Sequence, residues 1–129
     1  MAEESTQLAR SVRQHLLDLH KALLDAERAE YERMAGSATP PAALLQMLIT
    51  DPRFAWLRCI SRLIVGMDEA LSTRKPAPPG TLHQLLDQTR DLLQGKAAED
   101  DFQPKYRAAI ESCERAASLN SELLTPLAR

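Results

Sequence analysis

The amino-acid sequence predicts an all-α fold, an up-and-down four-helix bundle with a short extra connecting helix. The 129 residues are rich in the helix formers Leu, Ala, Gln, Glu and Arg, and only 4% are aromatic. Asn-Gly and Asp-Gly, the dipeptides typical of tight hairpin turns, do not occur. Apolar residues recur every three or four positions, the period of a helix with one buried face. Residues 1–129 are expected to form one domain, which is the common outcome at this length.

The first helix is expected at about residues 5–35. Its apolar face follows steps of three and four through Val12, Leu16, Leu19, Leu23, Ala26 and Glu30. Gly36 is expected to end the helix because glycine tolerates the left-handed backbone found there.

A short connecting helix is expected at residues 40–49. Thr39 is a candidate cap, and two prolines stand in the first turn, where their missing N–H groups cost nothing. The apolar patch of this helix consists of Leu44, Leu45, Leu48 and Ile49. Asp51 and Pro52 then predict a stop and a new helix, capped by Asp51.

The remaining helices are expected at residues 52–72, 81–94 and 102–120. The first of these is expected to be unbroken, with an apolar seam formed by Leu57, Ile60, Ile64, Met67 and Leu71. Three prolines make residues 74–80 a surface crossing. Pro126 is expected to end regular structure.

Charge and hydropathy exclude several kinds of partner. Sixteen Lys and Arg against eighteen Asp and Glu leave no basic excess, so no nucleic-acid partner is expected. No apolar run reaches the ~18–20 residues of a membrane span, so no membrane partner is expected. Glu3 and Glu4 stand where a secretion leader carries positive charge, which predicts a cytoplasmic location. Cys59 and Cys113 are expected to remain thiols there.

No catalytic residue, metal ligand or cofactor is predicted. The chain lacks GxSxG, P-loop, HExxH and GxGxxG motifs. Glu-x-x-His, the pair that binds di-iron centres inside helical bundles, is also absent. The four glycines offer few tight turns for a ligand.

Eight residues form the predicted interaction surface or polar cluster: Arg53, Trp56, Arg58, Arg62, Asp68, Tyr31, Glu30 and His20. Tryptophan and arginine are enriched at interface hot spots. Glu30 falls on the seam of the first helix and Asp68 lies beside Met67, positions where a carboxylate is costly unless it is paired. Two arrangements remain open. Either a polar cluster at one end of the bundle joins Glu30 or Tyr31 to the third helix, or both acids point into water.

Two stretches carry a family resemblance. The first is Leu19 to Arg28, and the second is Asp51-Pro52-Arg53-Phe54-Ala55-Trp56-Leu57-Arg58 continued by Ser61-Arg62-Leu63-Ile64-Val65 and Asp68-Glu69-Ala70-Leu71. Both resemble a group of small bacterial all-helical proteins of uncharacterised function, with a DPxFAWLRxxSxLIVxxDEAL-like motif. The resemblance implies a cytoplasmic all-α domain and no activity. This chain has Cys59-Ile60 where the motif is expected to contain a proline.

The predicted function is that of a non-enzymatic, cytoplasmic protein that binds an unknown protein or a copy of itself. The alternative is an enzyme that acts on a small molecule or needs a metal, with its site between the helices. That alternative predicts a pocket lined by Trp56, Tyr31, His20 and Asp68.

Overall fold

The fold is all-α. The computed structural model describes residues 2–72, 74, 77–96 and 102–127, and these form seven helices and no strand. The helices are α1 (Ala2–Ala35), α2 (Pro41–Thr50), α3 (Pro52–Ala55), α4 (Arg58–Ala70), α5 (Thr81–Gln94), α6 (Phe102–Ser112) and α7 (Glu114–Leu127). Of the predicted crossing at 74–80, residues 74 and 77–80 are non-helical, and 75–76 lie outside the described residues.

Helix α1 lies against most of the other helices. It packs chiefly on α7 and α4 and also contacts α5, while α5 contacts both α4 and α7. Helices α1 and α4 are antiparallel, because Arg13 meets Asp68 and His20 meets Ser61. In contrast, α2 packs mainly on the four-residue α3.

The core follows the predicted apolar seams. On α1, Val12, Leu16, Leu19 and Leu23 are at most 1% exposed, whereas Ala26 and Glu30 are half-buried. The predicted seam of the third helix is also buried, except for the half-buried Leu71. The aromatic residues add a small stack, in which the Phe102 ring lies 4.9 Å from that of Tyr106 and 5.7 Å from that of Trp56.

The predicted unbroken helix 52–72 is wrong, because the chain turns at Trp56 and Leu57 between α3 and α4. The Leu57 N–H donates to the Phe54 carbonyl at 3.1 Å, a bond of a tighter turn than the α-helix. Successive residues of an α-helix point about 100° apart, so residues 54 and 56 of a straight helix face opposite sides. Phe54 and Trp56 are both buried, and this requires the break.

The predicted last helix 102–120 is also interrupted, and it extends further than expected. A local irregularity at Cys113 separates α6 from α7, although the Cys113 N–H still donates to the Ala109 carbonyl at 2.8 Å. Helix α7 contains Pro126 and ends at Leu127, so Pro126 does not end regular structure. Leu127 is buried, and its contacts with the core hold this final turn.

The predicted end of α1 at Gly36 and the predicted N-terminal cap of α3 are confirmed, but the predicted cap of α2 is not. Gly36 has φ +77° and follows α1. The Asp51 carboxylate accepts a hydrogen bond from the Arg53 N–H at 2.8 Å and caps α3. At α2 the N-cap is Pro40, and Thr39 is instead buried beside α1.

Candidate functional site

A polar seam joins α1 to α3 and α4. Arg13 forms an ion pair with Asp68, the Ser61 hydroxyl lies 3.0 Å from Nε2 of His20, and Glu27 lies 3.6 Å from Arg53. The three α1 residues, Arg13, His20 and Glu27, are seven apart, which is close to two turns, so they share one face. Along the seam the residue numbers on α1 increase while those of their partners decrease, as antiparallel packing requires.

His20 lies in the middle of this seam, between the two ion pairs. Its side chain is half-buried, and burial lowers its pKa below the ordinary 6.5. The imidazole is therefore neutral at neutral pH, and its hydrogen bond to Ser61 links α1 to α4 without a charge.

The structure does not bring Glu30 and Asp68 together. Asp68 pairs with Arg13 near the start of α1, whereas Glu30 pairs with Arg33 at 2.5 Å near its end. The Arg33 guanidinium, helped by the charge of Arg53, holds the pKa of Glu30 below its usual range. Both carboxylates are partly exposed, and each is paired with an arginine of α1.

Arg53 is the residue that joins the end of α1 to α3. Its guanidinium lies 5.7 Å from the centre of the Tyr31 ring and 3.6 Å from the Glu27 carboxylate. It also donates to Sδ of Met34 at 3.8 Å. The predicted link between Tyr31 and the third helix is therefore present, through Arg53.

Trp56 belongs to the core and not to the surface. It is 5% exposed, and its indole Nε1 is buried without a hydrogen-bond partner among the described residues. Trp56 is therefore unavailable as an exposed contact of the predicted interaction surface. The Cys59 thiol donates to the Trp56 carbonyl at 3.2 Å and stabilises the turn.

Arg58 and Arg62 lie on α4 and point to different neighbours. Arg58 is exposed and donates to the Ile49 carbonyl at the end of α2. Arg62 lines a cavity of about 340 Å³ between α4 and α5, together with Cys59 and Asp91. The two arginines therefore do not form a single basic patch with Arg53.

The four residues of the enzyme alternative do not share a pocket. Trp56 lines a cavity of about 230 Å³ with Glu27, Glu30 and Lys105, and this cavity excludes Tyr31, His20 and Asp68. Within residues 2–72, 74, 77–96 and 102–127, no group of three or more His, Cys, Asp or Glu side chains is placed to hold a metal ion.

Helix α2 presents an exposed apolar surface that includes part of the apolar patch identified in the sequence. None of the ten residues of α2 is buried, and none carries a charge. Leu45 and Ile49 are each 61% exposed, while the opposite side of the helix, with Leu44, Met47 and Leu48, packs against the core. We call the exposed stripe of Ala42, Leu45 and Ile49 the α2 face.

Polar contacts fix both ends of α2. At its start, Arg28 donates to the Thr39 carbonyl at 3.0 Å, and the Thr39 N–H donates to the Glu32 carboxylate. The Thr39 N–H is also the main reason that the pKa of Glu32 is lowered. At the end of α2, Arg58 holds the Ile49 carbonyl. The helix is therefore anchored at its ends while the α2 face stays open.

Met34, near the end of α1, is a further exposed apolar side chain. It is 69% exposed, and Arg53, the second residue of α3, contacts its sulfur. Sequence reasoning missed Met34, Leu45 and Ile49 as site residues. The available signal was a ten-residue helix with apolar residues on two sides and no charge, too short to bury both.

Comparison of the chain with protein-family models, curated proteins and solved structures finds no match. None of the described helices combines the length and the apolar character that crossing a bilayer requires.

Proposed function

We propose that this chain is a non-enzymatic protein that acts by binding another protein chain, and that it binds through the α2 face. The observation that carries the proposal is the pair Leu45 and Ile49, both 61% exposed on a helix without charge. An apolar stripe on a firmly anchored helix is a common form of protein-docking surface.

The energetics favour a partner for this surface. Full burial of a Leu or Ile side chain contributes about 1.5–3 kcal/mol, so an exposure near 61% forgoes about 1–2 kcal/mol for each residue. Arg58 lies at one end of the stripe, and arginine is enriched in interfaces. A docked chain therefore gains apolar burial at the stripe and polar contacts at its edge.

Three residues of the predicted interaction surface stabilise the position of α2 instead of contacting the partner. Arg58 holds the end of α2, and Arg53 ties α3 to Tyr31. Trp56 fills the core immediately after α3. Their role in the proposal is to hold α2 in place, and the contacts with the partner fall to Leu45 and Ile49.

We also propose that the helices form an up-and-down four-helix bundle in which α2 is the connecting arm. The four legs would be α1, α3 with α4, α5, and α6 with α7. The antiparallel pairing of α1 with α4 supports this arrangement, as do the contacts of α5 with α4 and α7 and of α7 with α1. The proposed location is the cytoplasm, where two free thiols persist.

Other expectations stay predictions. The first is the absence of nucleic-acid and membrane partners, which is based on the formal net charge of −2 and on hydropathy. The second is the resemblance of residues 51–71 to the bacterial helical family.

A photo-crosslinking amino acid at position 49 tests the proposed function. The matched control places the same amino acid at Val65, which is 54% exposed and lies on a different helix, α4. After irradiation in the native cell, we expect discrete covalent adducts from position 49 and none of the same mass from position 65. Absence of adducts from position 49, or the same adducts from both positions, would contradict the proposed function.

A further inference from the structure

We infer that the partner of the α2 face is a second copy of this chain, paired in an antiparallel, two-fold symmetric contact between the α2 helices. This inference rests on the proposed function, because it names the occupant of the same surface. Its support is the distribution of size and charge along the stripe.

The sizes of the stripe residues complement one another in an antiparallel pair. Positions 42, 45 and 49 follow steps of three and four, so they share one side of α2. A two-fold axis beside Leu45 brings the large Ile49 of one copy against the small Ala42 of the other, and the reverse. Leu45 then packs against its own copy. A two-fold contact requires this kind of self-complementarity, since residue i must fit j and j must fit i.

The charges also favour the antiparallel direction. The ten residues of α2 carry no charge, so nothing in the stripe repels its copy. Arg58 lies at the C-terminal end of α2, and Arg53 follows in α3, whereas Arg28 at the N-terminal end is neutralised by its ion pair with Glu32. Ten helical residues span about 15 Å, so antiparallel pairing separates the two arginine groups by more than the ~8 Å screening length of physiological salt. Parallel pairing would place them side by side. The opposed helix dipoles also attract.

The size of the surface predicts a weak contact. The stripe spans about two turns of helix and offers two large side chains from each copy, which places the buried area at the low end of specific interfaces, below ~1,200 Å². The dimer is therefore expected to exchange with monomer, at a dissociation constant in the micromolar range or weaker.

Charge substitutions at Leu45 test this pairing in the full chain. Sedimentation velocity of the wild type should show a weight-average mass that rises from monomer toward dimer between roughly 5 µM and roughly 1 mM. Leu45→Glu and Leu45→Lys each place two like charges beside the two-fold axis, so each variant alone should dissociate at least ~10-fold more readily. An equimolar mixture of the two variants should regain the dimer, because the charges are then opposite. Val65→Glu should behave as the wild type.

Three outcomes would overturn the inference. The first is a wild type that stays monomeric to roughly 1 mM. The second is a Leu45→Glu variant that dimerises as strongly as the wild type. The third is a mixture that stays monomeric although circular dichroism shows both variants to be helical. Crosslinked adducts from position 49 with other proteins, combined with a monomeric wild type, would reject self-pairing and leave the proposed function standing. A lack of any adduct in the cell would reject the proposed function itself.

Discussion

Individual residues differ in how far the sequence determines their place. Leu16 and Leu23 are predicted on the buried face of α1 and are 0% exposed, because periodicity alone decides which face of a helix is apolar. The partners of Glu30 and Asp68 are not predictable in this way. Arg13 meets Asp68 only because of the register between two antiparallel helices, and register follows from the packing of the whole core.

His20 makes the stability of the fold dependent on pH. Burial lowers its pKa below 6.5 in the folded chain, whereas the unfolded side chain titrates near 6.5. The unfolded state therefore takes up a proton more readily than the folded state, so the free energy of unfolding should decrease as the pH falls through 6.5 and below. The contribution of His20 is complete above pH 6.5.

Chemical denaturation at several pH values measures this effect, with His20→Gln as the control. Glutamine does not titrate and can still form a hydrogen bond with Ser61, so the variant should lose less stability on acidification than the wild type. His15 and His83 are present in both proteins and cancel in the comparison. Equal pH dependence of the two proteins would show that His20 is not desolvated.

At the scale of elements, the sequence predicts where helices start and stop better than where they bend. Asp51 and Gly36 act as expected because capping is a local property of the chain. The break at Trp56 and Leu57 was missed because the apolar spacing from Leu57 onward fits an uninterrupted helix. Only the burial of both Phe54 and Trp56, which depends on their tertiary neighbours, requires the turn.

The Asp51 cap should be measurable as a stability difference. Asp51→Ala removes the acceptor of the Arg53 N–H and should lower the free energy of unfolding by about 1 kcal/mol, within the usual range of ~0.5–2 kcal/mol. Asp51→Asn keeps a capping oxygen, so it should lower the free energy of unfolding by only a few tenths as much as Asp51→Ala does. Urea unfolding of the two variants gives the comparison. Equal losses would indicate that the charge of Asp51, and not its cap, stabilises the junction of α2 and α3.

For the whole molecule, composition and periodicity are sufficient to predict an all-α fold, but they do not predict which apolar surface remains open. The stripe of α2 and the seams of the core have the same residue types and spacing. They differ in whether another element covers them, and α2 packs mainly on the short α3. The arrangement of Trp56, Tyr31, His20 and Asp68 is likewise decided at this scale. These residues lie on helices that contact one another. The register of α1 against α4 nevertheless places His20, Tyr31 and Asp68 at different positions along the axis of α1.

The methyl groups of isoleucine report whether the α2 face is exposed to water. The chain contains four isoleucines, and Ile49 is 61% exposed whereas Ile60 and Ile64 are at most 8% exposed. In a dilute sample labelled at isoleucine methyl groups, a water-soluble paramagnetic chelate should broaden the signal of Ile49 far more than those of Ile60 and Ile64. If Ile49 is protected as well as Ile60 in dilute monomer, α2 packs its apolar stripe into the core and the account is contradicted.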